Sequence, residues 1–381
     1  MRLVELQTEW DSTAACTAIG RSAVDPNLRG WAALLPSEPR LLHEGLRQSG
    51  VTVLRGERGG LALGSLSQLW SAARSLADAL EDGRARALLA ELQTRAGHVE
   101  GARPRWRLPR SRLPEGRVLV MAILNVTPDS FSDGGKYAAP DAAIEHGLRL
   151  AAEGADLIDV GGESTRPGSQ PVPADEELRR TLPVVRELAR RSGVPISIDT
   201  TKSEVARAAV DAGAEVVNDV SGLQRDPALA GIAAREDAAL CLMHSRGTPQ
   251  EMQQRASYAD LLGEVHDELQ EALRRALEGG VPVEAIALDP GLGFAKTAEH
   301  NLLLLRRLRE LTQLGRPVLL GASRKSFLGG LSGKPAAERL TGSIAAATVA
   351  ALHGAALVRV HDVAATREAL AVVDAVSSSS S

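Results

Sequence analysis

Eight times between Val118 and Asp362, a short apolar run ends in a polar residue and leads into a stretch with helical patterning. The runs close at Asn125, Asp159, Asp199, Asn218, His244, Asp289, Ser323-Arg324 and Arg359-Val360-His361. Parallel strands covered on both faces read as continuous Val, Ile and Leu rather than as alternating apolar and polar residues. Eight such runs with helices between them predict an α/β fold, a (β/α)8 TIM barrel, whose chemistry sits at the C-terminal ends of the strands. The expected strands are 118–126, 156–161, 195–200, 216–220, 239–244, 286–290, 318–322 and 357–361. Helical spacing fills 140–153, 175–192, 203–212, 227–236, 257–279, 298–314, 338–353 and 364–375. Pro140, Ser203 and Pro227 stand where helix starts favour them. An open doubly wound sheet is the alternative, disfavoured because no nucleotide-type glycine loop follows the first run.

At 381 residues the chain exceeds a typical barrel, so an extra segment is expected. Residues 1–102 supply it. The four tryptophans, Trp10, Trp31, Trp70 and Trp106, fall in or just after this region, which holds no Phe or Tyr. Leu66, Leu69, Trp70, Ala73, Leu76, Ala77 and Leu80 keep helical spacing, and 51–54 reads as a strand. This is a small N-terminal α/β appendage without a chemical constellation of its own. Residues 103–117 carry six arginines and three prolines, which fits a solvated linker, with a basic anion-binding stretch as the sharper alternative. The barrel is expected over 118–376, and the serine run 377–381 is expected to be disordered.

Composition closes several routes. Cys16 and Cys241 give neither a disulfide framework nor zinc spacing. A net charge of −4 argues against a general nucleic-acid surface. No apolar run approaches the ~18 residues of a membrane span, and the charged start lacks a signal core, so a cytoplasmic location is expected. Only five of the 44 basic residues are lysine: Lys136, Lys202, Lys296, Lys325 and Lys334. Where arginine is the default cation, a retained lysine marks a need for a compact, flexible charge. That reasoning favours Lys325 at a strand end, whereas Lys202 and Lys334 read as surface lysines.

The strand ends carry the chemistry. The first is followed by Asn125-Val-Thr-Pro-Asp-Ser-Phe-Ser-Asp-Gly-Gly135, a loop of the kind that closes over reacting groups. Asn125 offers an amide oxygen for a metal or an anion, against the plainer role of structural hydrogen bonder. The second loop, Gly161-Gly-Glu-Ser-Thr-Arg-Pro-Gly168, sets Thr165 and Arg166 together in a combination suited to phosphate, although a plain surface turn has the same composition. Asp199, Asn218 and Asp289 end three internal strands. Buried carboxylates are costly without donors, so three polar ends converging in one mouth favour the donor edge of a planar heterocycle over an inert polar layer. Asp289-Pro-Gly-Leu-Gly-Phe294 adds an aromatic ring for stacking. Arg324 and Lys325 add positive charge, and Arg359 and His361 share a face on the last strand, where barrels often bind phosphate. His244 and Asp159 read as support. The residues thus describe a site for a polar heterocycle beside a phosphate or pyrophosphate, with magnesium held by few protein ligands.

Taken together, these stretches closely resemble the dihydropteroate synthases, pterin-binding barrel enzymes. The resemblance covers about residues 118–375 and rests on the motifs from Met121 to Gly135, Gly162 to Gly168, Ser197 to Thr200, Asn218 to Gly222, Asp289 to Lys296, Ser323 to Lys325 and Arg359 to His361. It implies condensation of 6-hydroxymethyl-7,8-dihydropterin pyrophosphate with p-aminobenzoate to give 7,8-dihydropteroate and pyrophosphate, with Mg2+ as cofactor. It implies that Asp199, Asn218, Asp289 and Lys325 hold the pterin, and that Asn125, Arg359 and His361 hold pyrophosphate and magnesium, with Asn125 as metal ligand. Thr165, Arg166, Pro167, Phe294, Lys325 and Ser326 surround the anionic and p-aminobenzoate groups. Asp199, Lys325, Arg359 and His361 form the catalytic set. A passage through a pterin cation is implied, as are inhibition by sulfonamides and a homodimer, for which the apolar stretch 344–352 offers a face. Two departures stand out: Leu292 and Ala295 replace the usual Phe and Gly, and Ser245 replaces the usual Met. The rivals are a methyltetrahydrofolate–corrinoid methyltransferase, which has no use for a pyrophosphate site, and a non-catalytic pterin-binding barrel, which would have lost anion-site residues.

Overall fold

The computed structural model describes residues 2–6, 15, 30–36, 40–49, 51–55, 57, 59–77, 83–100, 104–127 and 139–378. They form two compact units. The first comprises Met1–Ala102 with Arg309–Gly315, and the second comprises Arg103–Leu308 with Arg316–Ser381.

In the first unit, β1 (Arg2–Leu6), β2 (Gly30–Pro36), β3 (Thr52–Arg55) and β4 (Gly59–Gly64) make an antiparallel sheet in the order β1-β2-β4-β3. Successive strand residues point to opposite faces. Leu3, Ala33 and Leu35 therefore join Leu42 and Leu46 of α1 (Arg40–Gln48), Leu69 and Ala73 of α2 (Leu66–Ala77) and Leu89 and Leu92 of α3 (Gly83–Glu100) in one core, while Val4, Ala32, Leu61 and Leu63 pack on the other side. The expected strand and helix are present, the helix over Leu66–Ala77, while Leu80 lies outside the described residues. Trp10 lies outside the described residues.

The second unit is the barrel. Its strands are β5 (Leu119–Asn125), β6 (Leu157–Gly161), β7 (Ile196–Asp199), β8 (Val216–Asp219), β9 (Ala239–Met243), β10 (Ile286–Asp289), β11 (Leu319–Leu320) and β12 (Leu357–Val360). All pair in parallel in the order β10-β9-β8-β7-β6-β5-β12-β11, and a bridge from Leu288 to Val318 closes the ring. Every residue of β6 to β10 is buried, as two-faced burial demands. Helices α4 (Ala139–Ala152), α5 (Ala174–Arg191), α6 (Ser203–Asp211), α7 (Ala228–Arg235), α8 (Leu261–Glu278), α9 (Ala298–Arg306), α10 (Ser326–Ser332), α11 (Leu340–Leu352) and α12 (Val363–Ser378) lie between and after the strands. The helix expected from 257 starts at Leu261, where Asp260 accepts a cap bond from Gly263 N at 3.1 Å. The helix expected over 298–314 breaks at Arg306 into a 3-10 segment, Leu308–Leu314, and Arg309–Gly315 groups with the first unit rather than with the barrel. The serine run begins inside α12, and residues 379–381 lie outside those described.

The segment 104–117 corrects the expectation of a solvated linker. It has no helix or strand, yet Trp106 and Leu108 are buried. Trp106 Nε1 donates to Ala285 O at 2.9 Å and Arg107 N to Glu284 O at 2.8 Å. Glu215 accepts from the backbone of Arg110 and Ser111, and Arg117 forks onto Asp156 at 2.6 and 3.0 Å. Asp156, Glu215 and Ala285 each stand at or just before a strand start. The arginines and prolines thus form a strap beneath the N-terminal end of the barrel, away from the strand ends that carry the chemistry. Arg110 is bonded to the Gly213 and Ala214 carbonyls and Arg117 to Asp156, which weighs against the alternative of an anion-binding stretch.

Candidate active site

Strand register brings the predicted residues together. Asn125 pairs with Gly161, Gly161 with Asp199, and Asp199 with Asn218, so three polar side chains lie around the ring at one height. β12 pairs with β5, which sets Arg359 and His361 beside the Asn125 strand. Arg359 occupies the middle. Its Nε donates to Asp159 Oδ2 at 2.6 Å and Nη2 to Asp199 Oδ2 at 2.9 Å, while Asn218 Nδ2 donates to the same Asp159 oxygen at 3.0 Å. Asp159 is fully buried and orients both neighbours, the supporting role the sequence assigned it. This bond fixes the Asn218 amide and leaves its Oδ1 as an acceptor. Asp289 Oδ1 accepts from Gly291 N at 2.7 Å, which leaves Oδ2 as a second acceptor. Asp159 Oδ1 and Ser197 Oγ, side by side in the register, are buried and make no hydrogen bond among the described residues.

The electrostatics divide the site. Burial, only partly offset by the Arg359 charge, raises the Asp199 pKa to about 8. Burial likewise raises that of Asp289 against the pull of Lys325. Lys325 is pushed down to about 8 by burial, with Asp289 opposing. This pole offers acceptors, a carboxyl that holds its proton more tightly than usual and an ammonium that holds its proton less tightly, a set suited to the donor edge of an amino-pyrimidinone. At the other pole, burial and the charges of Arg324, Arg359 and Arg166 hold His361 down at about 4. A neutral histidine ringed by arginines is a place for an anion. The Ser323 hydroxyl accepts from His361 N at 3.2 Å and lies 3.0 Å from Nδ1, so the ring proton is assigned to Nε2.

The loops complete the wall. Of the first, residues 128–138 lie outside those described. In the second, Thr165 borders a small cavity with Ser245, Met252 and Phe294, whereas Arg166 and Pro167 are exposed. Gly168 N donates to Pro249 O at 2.9 Å, tying this loop to the one after β9. Lys325 Nζ donates to Leu292 O and stands 5.1 Å from the centre of the Phe294 ring. Ser326 opens α10 and is exposed. Gly291, at φ +67°, is required: a Cβ there would come within 2.0 Å of His244 O.

Two expectations change. Arg324, expected to add free positive charge at its strand end, has its guanidinium forked onto Asp362 at 2.6 and 3.1 Å. Lys202 is no stray surface lysine. Its Nζ bonds Glu163 of the second loop and the buried Glu177 of α5, bonds that outweigh the cost of burial and raise its pKa. Sequence reasoning also passed over Lys296, which is 3% exposed with Nζ 2.8 Å from His244 Nδ1. The scarcity of lysine was the signal that could have found it.

A sequence profile of the family described as pterin binding enzyme matches residues 121–361. The dihydropteroate synthase of Mycobacterium leprae (strain TN) is 50% identical over 265 residues, which cover 68% of this chain and 93% of that protein. The solved structure of the Xanthomonas albilineans dihydropteroate synthase with 4-aminobenzoic acid is 48% identical, with a TM-score of 0.66 over 69% of this chain and 94% of that one. The Yersinia pestis dihydropteroate synthase in complex with a sulfonamide drug is 44% identical, with a TM-score of 0.68 over 72% of this chain and 99% of that one.

Proposed function

The chain belongs to the pterin-binding enzyme family, and from that premise we propose how its strand ends divide the work of a dihydropteroate synthase. The enzyme is a transferase of folate biosynthesis. It joins 6-hydroxymethyl-7,8-dihydropterin pyrophosphate to p-aminobenzoate. The bond from the pterin methylene carbon to pyrophosphate oxygen breaks, and pyrophosphate leaves with the electron pair. The p-aminobenzoate nitrogen forms the new bond and loses a proton.

Asn218, Asp289, Asp199 and Lys325 take the pterin. Arg359 and His361 take the departing pyrophosphate, with Arg166 closing from the second loop, and Thr165, Pro167, Phe294 and Ser326 receive p-aminobenzoate. The observation that carries this division is Arg359, which bonds Asp199 of one pole while standing two residues from His361 of the other. Charge that develops on the leaving group then forms beside fixed cations, and the cationic methylene forms beside carboxylates, so no strong base or nucleophile is required.

Magnesium fits this scheme. Among the described residues no cluster of three or more His, Cys, Asp or Glu could hold a metal alone. Asn125, half-buried at its strand end, supplies one hard oxygen, and magnesium commonly keeps waters and substrate phosphates as its other ligands. Bound there, the ion would neutralise charge on the leaving pyrophosphate.

The exposed Val349 and Leu352 of α11 and Val372 and Val376 of α12 support a homodimer through these helices. No described helix is long and apolar enough to cross a membrane, and a cytoplasmic location stays part of the proposal on the sequence argument alone. The testing experiment supplies both substrates and magnesium and follows pyrophosphate release. Release that requires p-aminobenzoate and is inhibited competitively by a sulfonamide is expected. Pterin binding with release at background would favour a binding-only barrel.

A further inference from the structure

The loop after β10 has an unusual set of attachments. Its four consecutive carbonyls each accept a hydrogen bond from a different side chain. Lys325 Nζ donates to Leu292 O, and Gln253 Nε2 donates to Gly293 O at 2.9 Å. Lys296 Nζ donates to Phe294 O at 3.0 Å, and Tyr258 Oη donates to Ala295 O at 2.9 Å. The shape of this loop is therefore set by groups outside its own turn.

Lys296 is the buried one among these donors. A lysine is seldom fully buried without partners that repay its desolvation. Here the second partner is His244, with Nδ1 at 2.8 Å. The Lys296 ammonium donates, so Nδ1 accepts and the ring proton sits on Nε2, which lies 3.1 Å from Glu268 Oε2 as a polar contact without hydrogen-bond geometry. Glu268 is bonded by Arg246, whose guanidinium lies 4.1 Å over the Tyr258 ring. The contacts thus leave the loop at Phe294 O, pass through Lys296, His244, Glu268, Arg246 and Tyr258, and return to it at Ala295 O. A cluster that only filled the core would have no reason to begin and end on the two carbonyls flanking one peptide. Burial also lowers the Lys296 pKa to about 7, in keeping with a role as hydrogen-bond donor rather than as fixed charge.

We propose that Lys296 is a positioning residue for the second substrate: by tying the Phe294 carbonyl to His244, it holds the Phe294 ring against Lys325 where p-aminobenzoate is received. The proposal rests on the synthase reading, and it assigns Lys296 no contact with either substrate.

The test uses the full chain with Lys296→Met, which keeps the stem and removes the donor, beside Tyr258→Phe, which releases Ala295 O from the less buried end. For Lys296→Met, KM for p-aminobenzoate should rise about tenfold, while kcat and the calorimetric affinity for dihydropterin pyrophosphate stay within about twofold. Tyr258→Phe should shift the same KM in the same direction by less. Equal weakening of both substrates, or an unchanged p-aminobenzoate KM, would overturn the positioning role. If Lys296→Met does not fold, Tyr258→Phe decides alone, and an unchanged KM there overturns it. A wild-type chain without turnover would overturn the synthase reading itself, and the positioning role with it.

Discussion

Ala295 adopts φ +49°, a left-handed conformation that costs a residue with a Cβ about 1–2 kcal/mol. It stands where the family commonly has Gly, and the fold accepts the strain because Tyr258 and the buried setting hold the backbone. Ala295→Gly should therefore stabilise the protein by about 1 kcal/mol in denaturant melts, once the extra freedom of Gly in the unfolded chain is subtracted. A destabilised variant would show that the Ala295 methyl packs better than its backbone is strained. Lys325 and Lys202 make a second contrast. Lys325→Ala should lower kcat/KM about 100-fold, since it removes a donor at the reacting ring. Lys202→Ala frees only one anchor of the second loop and should cost about tenfold or less. Equal losses would sink that distinction. Asp199, Asn218, Asp289, Lys325 and Arg359 were legible in the sequence because a polar residue ending an apolar run declares its own position. Lys296, Glu268 and Arg246 were not, because they meet only after β10, α8 and the loop after β9 are packed together.

At the level of elements, hydrophobic patterning located all eight barrel strands within a residue or two, because burial on both faces forces an uninterrupted apolar run. It failed where neighbouring structures share one pattern. The leucines from 302 to 314 continue helical spacing across the break at Arg306, so a 3-10 segment looked like more helix. In the first unit, β4 is half glycine and gave no strand signal. The strap was misread because arginine and proline are the composition of a linker as well as of a segment bonded to carboxylates. Its anchor is testable. Trp106→Ala removes a buried ring and the bond to Ala285 O, and should cost about 3–5 kcal/mol of barrel stability in chemical denaturation. A loss below about 1 kcal/mol would return the segment to the status of a linker.

For the whole molecule, the buried titratable groups give stability a defined pH response. His244 and His361 both titrate near 4 in the folded chain and near 6.5 when unfolded. Between those values the unfolded chain holds protons that the folded chain refuses, so each histidine makes stability fall as pH drops from 6.5 to 4. Asp199 has the opposite sign: its folded value of about 8 lies above its ordinary 3.8, so it adds stability as pH falls through that interval. Thermal melts of His361→Asn should thus decline less on acidification than wild type, and those of Asp199→Asn should decline more. Parallel curves would contradict both assignments. The central claim, however, is the division of one barrel mouth into a heterocycle pole and an anion pole. The most direct measurement is calorimetric binding of a pterin and, separately, of pyrophosphate with magnesium to Asp289→Asn and His361→Ala. The account predicts that Asp289→Asn loses pterin and keeps pyrophosphate, while His361→Ala loses pyrophosphate and keeps pterin. If each variant weakened both ligands alike, the two poles would not exist as separate sites.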